Sequence, residues 1–174
     1  MRGQRAPLVF VTVGTDHHPF DRLVGWVDEW FAALAPGTAR CVMQTGTSRP
    51  PRHSEWHDYL GYAEMGGHLR RAAAVVCHGG PATIMDARGA GRRPIVVPRR
   101  RSLGEHVDDH QRRFAHRMRP TGHIALAEDP RALGRLLDEV VAEPGSQLLA
   151  THGRTGEDAV SRFAELVSRL VVAG

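Results

Sequence analysis

Seven residues near the start of the chain, Pro7-Leu8-Val9-Phe10-Val11-Thr12-Val13, run without the polar–apolar alternation of a half-exposed strand. A β-branched apolar run of this length reads as a strand covered on both faces, the environment of a parallel sheet packed between helices. The next segments keep to that plan. After the loop Gly14 to Pro19, Leu23, Val27, Trp30, Phe31 and Leu34 recur at helical spacing in a helix from Phe20 that Pro36-Gly37 stops. Ala39 to Gln44 reads as a second strand, Thr47 to Trp56 as loop, His57 to Gly61 as a short strand and Glu64 to Arg71 as a weak helix.

The rhythm then continues. Ala73 to Cys77 is a strand, Ala82 to Arg88 a helix and Pro94 to Val97 a strand. Val107 to Met118 is a helix with an apolar face of Val107, Phe114 and Met118, and His123 to Leu126 is a last short strand. Asp129 caps and Pro130 opens a further helix, buried through Leu133, Leu136, Leu137, Val140 and Val141. A polar linker from Glu143 to Arg154 leads to a final amphipathic helix carrying Ala159, Phe163, Leu166, Val167 and Leu170, with Thr155 and Asp158 as a variant capping box. Alternating strand and helix predicts the α/β class: a doubly wound parallel sheet, Rossmann-like, forming one domain over residues 1–174.

Composition narrows the function classes. All 23 basic residues are arginine, and the formal net charge is +4. The arginines are scattered, clustering only at Arg70-Arg71, Arg92-Arg93, Arg99-Arg101 and Arg112-Arg113, and an aromatic content of 6% leaves no basic–aromatic surface of the kind that binds RNA. No apolar run reaches the roughly 20 residues of a membrane span, and the first residues lack a signal-peptide cleavage pattern. The expectation is a cytoplasmic protein whose membrane contact is peripheral. Cys41 and Cys77, without CxxC spacing, read as reduced core thiols.

Open parallel sheets bind ligands beyond the carboxyl ends of their strands. Four loops come directly after strand candidates here: Gly14 to Pro19, Gln44 to Ser48, His78 to Thr83, and Pro98 to Gln111. The third, His78-Gly79-Gly80-Pro81-Ala82-Thr83, leads from strand into helix, and a helix start offers free N–H groups and a positive dipole end to a diphosphate. Tight strand-to-helix packing explains the same glycines equally well. Neither a Walker A sequence nor a GxGxxG fingerprint is present.

Asp86, one turn into that helix, would repel phosphate, so its expected partner is a hydroxyl pair such as a ribose 2′ and 3′. His106 and His110 stand four apart beside Glu105, Asp108 and Asp109, but HExxH order and an obvious third ligand are lacking, and no metal is expected. The same segment suits hydrogen bonds to a sugar, with Gln111 as neutral donor and acceptor. His17 and His18 are available as a general base, although neighbouring loop histidines are commonly bystanders.

As a set, VFVTVGTxxxPFDRL, QTG, HGGPATIMDARGAGRRPIVVPR and GEHVDDHQ resemble the C-terminal, donor-binding half of family 28 glycosyltransferases over roughly Leu8 to Ala125. The likeness is strongest to small stand-alone donor subunits, those of a bacterial exopolysaccharide glucuronosyltransferase and of the dolichol-linked N-acetylglucosaminyl transferase. The resemblance implies one half of a GT-B enzyme and a UDP-sugar as substrate. Gly14 and Thr15 would approach the donor diphosphate. His78, Gly79, Gly80 and Thr83 would line it, Asp86 would take the ribose, and Arg99 would neutralise phosphate charge. Glu105, His106, His110 and Gln111 would contact the sugar; Glu105, His106 and His17 are the catalytic candidates. In the resembled subunits a histidine comes directly after VGT; here Asp16 stands there, with His17 and His18 next.

The implied reaction is inverting displacement at the anomeric carbon, with no cofactor and no metal. It also implies a membrane-associated partner that binds a lipid-linked acceptor, or a homo-oligomer, with the final helix at about 155–172 as a candidate docking element, or equally as an element packed on its own sheet. The alternative is a nucleotide-sugar-binding regulatory module without turnover.

Overall fold

A computed structural model describes residues 6–149 and 156–172, the side chains of 156–160, 162 and 170 excepted. In chain order the elements are β1 (Leu8–Thr12), α1 (Asp21–Ala32), β2 (Arg40–Gln44), β3 (Glu55–His57), α2 (Tyr62–Arg71), β4 (Ala74–Cys77) and α3 (Pro81–Gly89). They continue with β5 (Ile95–Val96), α4 (His110–Met118), β6 (Ala125–Leu126), α5 (Pro130–Ala142) and α6 (Gly156–Val172). The strands form one sheet in the order β3-β2-β1-β4-β5-β6, and each neighbouring pair is parallel. The doubly wound α/β reading holds.

Both faces of that sheet are covered, which is why β1 shows no alternation. Val9 and Val11 pack with Met43, Ala74 and Val76 against Leu23 and Val27 of α1 and Leu133, Leu137 and Val140 of α5. Phe10, Val42 and Val75 point the other way, onto Leu69 of α2 and Ala87 of α3. Further along that second face, Cys77 and Val96 meet Ile84, Phe114 and Met118 together with Phe163 and Val167 of α6. The face of α6 offered as a docking element is therefore used by the chain's own core. Thr155 lies outside the described residues, as do the side chains of Asp158, Ala159 and Leu170. Cys41 and Cys77 are free and buried, and burial pushes both thiols up to about 12. Among the described residues no helix is long and apolar enough to cross a membrane.

Two expected boundaries shift, each because side chains capture backbone amides. The third strand forms at Glu55–His57, in register with Val42 to Gln44, rather than at His57 to Gly61. Buried Asp28 on α1 accepts the N–H groups of Arg52, His53 and Ser54 and the Ser54 hydroxyl, which sets where the chain enters the sheet. Gln44 then takes the Leu60 N–H, ending the strand. Likewise α4 begins at His110, not Val107. Asp108 accepts the His110 N–H and Asp109 that of Arg101, so the chain turns locally before the helix. Val107, expected in the core, is 65% exposed. At α5 the capping expectation holds, with Asp129 accepting the Ala132 N–H at 2.8 Å.

Asp28 illustrates how a buried carboxylate survives in this fold. Burial raises its pKa, yet the bonds from Arg52, Ser54 and His53 outweigh that and hold it below the usual range. Asp28→Ala strands three amides, and urea unfolding is expected to show a loss of about 3 kcal/mol; a change within error would mean water replaces the carboxylate without cost.

Candidate functional site at the carboxyl edge

β1 and β4 are neighbours at the point where the winding of the sheet reverses, so the loops leaving them diverge and open a crevice. Between them lies the imidazole of His78. A Cβ on Gly14 would fall 2.5 Å from His78 Cε1, and one on Gly80 would fall 2.5 Å from His78 Nε2. Both glycines are thus spaces filled by one buried ring. Gly79 sits at φ +93, a conformation that disfavours any side chain, with Val96 and Gln111 against it. Burial, helped by the Arg99 cation, pushes the His78 pKa down to about 4, so the ring is neutral near pH 7.

Just past this ring, Gly80 occupies the cap position of α3, Pro81 is the next residue, and no side chain caps the first turn. The amides of Ala82 and Thr83 therefore face the crevice edge without a side-chain acceptor, while the Ile84 N–H is taken by Gly80. Asp86 stands apart, one turn further along α3. It lines a groove of about 430 Å³ between α2 and α3 with Tyr62, Met65, Gly66, Arg70 and Met85. Desolvation raises its pKa, and no hydrogen bond occupies its carboxylate among the described residues.

The loops are held together by long-range bonds. Gln44 donates to the Thr12 hydroxyl and the Gly14 carbonyl. Ser48 accepts the Phe20 N–H, and Thr47 donates to the His17 carbonyl. Arg99, expected to meet phosphate, is fully buried instead: it donates to the carbonyls of Val13 (2.7 Å), His18 (2.7 Å) and Glu105 (2.8 Å). Its charge acts on the site only through space.

Glu105, expected in catalysis, is also committed. Arg22 grips both its oxygens at 2.8 Å, and the Arg100 N–H adds a third bond. This carboxylate fixes the loop after β5. His106 accepts the Asp108 N–H at Nδ1 and faces Asp16 through Nε2 at 3.5 Å, so neither ring nitrogen is left as a free base. His17 is 83% exposed, and Thr15 is exposed beside it. Half-buried His110 opens α4; Gln111 comes next, buried, its amide oxygen without a partner among the described residues and its Cβ near Gly79.

The structure therefore brings Gly14, His78, Gly79, Gly80 and Gln111 together, places Thr83 at the adjoining helix start, and turns Arg99 and Glu105 into scaffolding. Among the described residues, Asp16, His17 and His18 are the one group of His, Cys, Asp or Glu whose ligand atoms cluster, lying within 4.8 Å of one another. The His106–His110 pair gains no third ligand there. The role of Arg22 is hidden in the sequence because its partner Glu105 stands 83 residues away. An arginine directly after a helix-opening Asp, in PFDRL, carries no local signal of such a bond.

Known proteins share this fold. Residues 8–169 match the glycosyltransferase family 28 C-terminal domain. The chain belongs to that family. Over 114 residues it is 31% identical to the UDP-N-acetylglucosamine–N-acetylmuramyl-(pentapeptide) pyrophosphoryl-undecaprenol N-acetylglucosamine transferase of Rhodospirillum rubrum, covering 62% of this chain and 28% of that protein. Among solved structures, the glycotransferase of kitacinnamycin matches 99% of this chain and 41% of its own at TM-score 0.60 and 19% identity. MurG of Acinetobacter baumannii matches 94% and 51% at TM-score 0.52 and 14% identity. These likenesses show a Rossmann-like fold that matches one half of GT-B glycosyltransferase structures. This family 28 domain spans about half, or less, of the proteins it matches.

His78 gives the site a signature in stability. An unfolded histidine titrates near 6.5, whereas buried His78 resists protonation down to about 4. Between those values the unfolded chain binds the extra proton, so stability falls as pH drops, by about 3 kcal/mol in all. Urea unfolding across this window should show that loss, reduced in His78→Asn; equal slopes in the two proteins would contradict a neutral buried ring.

Proposed function

We propose that this family 28 domain is the donor half of an inverting glycosyltransferase, binding a UDP-sugar and transferring its hexosyl group to a lipid-linked acceptor held by a partner subunit at the membrane surface. The uncapped start of α3, beside a groove that contains an unpaired carboxylate, is the observation that carries this reading. A diphosphate suits the amides of Ala82 and Thr83, and the ribose hydroxyls suit Asp86 one turn on. The nucleoside then lies along the α2–α3 groove, and the sugar points toward Gln111, whose amide oxygen has no partner among the described residues.

In this reading the acceptor oxygen attacks the anomeric carbon from the face opposite the phosphate, and the bond to UDP breaks. Negative charge growing on the departing diphosphate meets fixed amides and the helix dipole, with the buried Arg99 adding positive potential. These groups supply the charge stabilisation without a metal ion. The relative from Rhodospirillum rubrum is named for transfer to an undecaprenol-linked acceptor, which supports a lipid-linked acceptor here. Its greater length supports a second half that completes the cleft.

Calorimetry tests the reading. UDP, UDP-N-acetylglucosamine and UDP-glucuronate are expected to bind with sub-millimolar affinity. Asp86→Ala should weaken UDP about tenfold, the cost of one hydrogen-bonded hydroxyl pair on a charged acceptor. The 2′-deoxy nucleotide should bind the wild type more weakly than UDP but bind the variant equally well. Absence of uridine nucleotide binding would end the donor reading; undiminished binding by Asp86→Ala would end the ribose assignment.

A further inference from the structure

With Glu105 held by Arg22 and both nitrogens of His106 engaged, the loop after β1 contains the remaining candidate for proton transfer. His18 Nδ1 lies 2.6 Å from Asp16 Oδ1, and the His18 backbone N–H donates to the same oxygen at 2.7 Å. The His18 carbonyl is in turn held by Arg99 at 2.7 Å. Ring and backbone are thereby both fixed. Its side chain is 22% exposed, and Nε2 has no partner among the described residues.

The spacing argues for a hydrogen bond over a shared metal. Ligand atoms about 2.0–2.1 Å from a tetrahedral ion stand roughly 3.3 Å apart, well beyond 2.6 Å. Asp16 stays ionised: burial raises its pKa, but the two His18 bonds and the Arg99 charge outweigh this and lower it. A carboxylate that accepts from Nδ1 fixes the tautomer with Nδ1 protonated and leaves the Nε2 lone pair free to act as a base. His106 approaches the other Asp16 oxygen at 3.5 Å, which braces the carboxylate from the loop after β5. The paired ring belongs to His18, not to the adjacent and far more exposed His17.

We propose that His18, oriented by Asp16, is the general base of the transfer reaction, so that the donor half contributes its own base. The proposal rests on the donor reading of the α3 start and its groove. The acceptor hydroxyl gives its proton to His18 Nε2 as its oxygen bonds to the anomeric carbon. The bond from that carbon to the phosphate oxygen breaks, and UDP leaves with the electron pair. The resulting imidazolium is stabilised by Asp16 and later returns its proton to water. His18 is the catalytic residue, and Asp16 is a positioning residue acting through it.

The test uses the chain with UDP-N-acetylglucosamine and UDP-glucuronate, reading slow release of UDP with water as the acceptor. His18→Ala should bind UDP as the wild type does, lower the rate of release by about 10²- to 10⁴-fold, and recover partly on addition of free imidazole. Imidazole ¹⁵N spectra above neutrality should show His18 as the Nδ1–H tautomer in the wild type and lose that signature in Asp16→Asn. Equal release by wild type and His18→Ala, or an Nε2–H tautomer, overturns the base while leaving the donor reading intact. A wild type that binds no uridine nucleotide overturns both.

Discussion

The buried guanidinium of Arg99 is the interaction on which the carboxyl edge of this protein depends. It is fully buried, and its bonds run to carbonyls from the end of β1, the loop after it and the loop after β5. Three segments that share no local sequence are tied by one cation. Its burial is offset by those carbonyls, by the nearby charges of Asp16 and Glu105, and by the Phe20 ring 4.8 Å from the guanidinium carbon. A lysine, with a single compact ammonium, would not reach three diverging acceptors in this planar arrangement.

Around that cation the site is assembled by filling space as much as by chemistry. His78 occupies the volumes that side chains on Gly14 and Gly80 would need. The double glycine is therefore required by packing, and the same packing brings the uncapped start of α3 to the crevice. Of the two explanations that the sequence left equal, packing is the one seen, and it leaves the start of α3 without a side-chain cap. Arg22 and Glu105 play a parallel part across the crevice, and Glu105 joins both systems, through its carboxylate to Arg22 and through its carbonyl to Arg99. This wiring makes the loops a preorganised frame, which is what charge stabilisation in a transfer reaction requires.

The fold was legible wherever periodicity decides it. The unbroken apolar run of β1 implied two covered faces, and Val9 and Val11 against Phe10 show both. The start of α4 and the register of β3 were not legible, because Asp28, Asp108 and Asp109 bond to amides in a way that no hydrophobic pattern reveals. In the site, the meeting of the four loops came from strand order alone. The scaffolding roles of Arg99 and Glu105 did not, since charged residues in loops read as ligand contacts until their distant partners are seen. Likewise, which of two adjacent histidines is held by Asp16 depends on backbone geometry, and spacing is silent on it.

In the proposed complex a uridine diphosphate seats at the start of α3 with its nucleoside in the α2–α3 groove. Backbone amide shifts recorded during titration with UDP test this most directly. The largest changes are expected at Gly80, Ala82 and Thr83, with a second set along the groove at Asp86, Met65 and Gly66. Changes confined to other surfaces, or none at saturating nucleotide, would contradict the account.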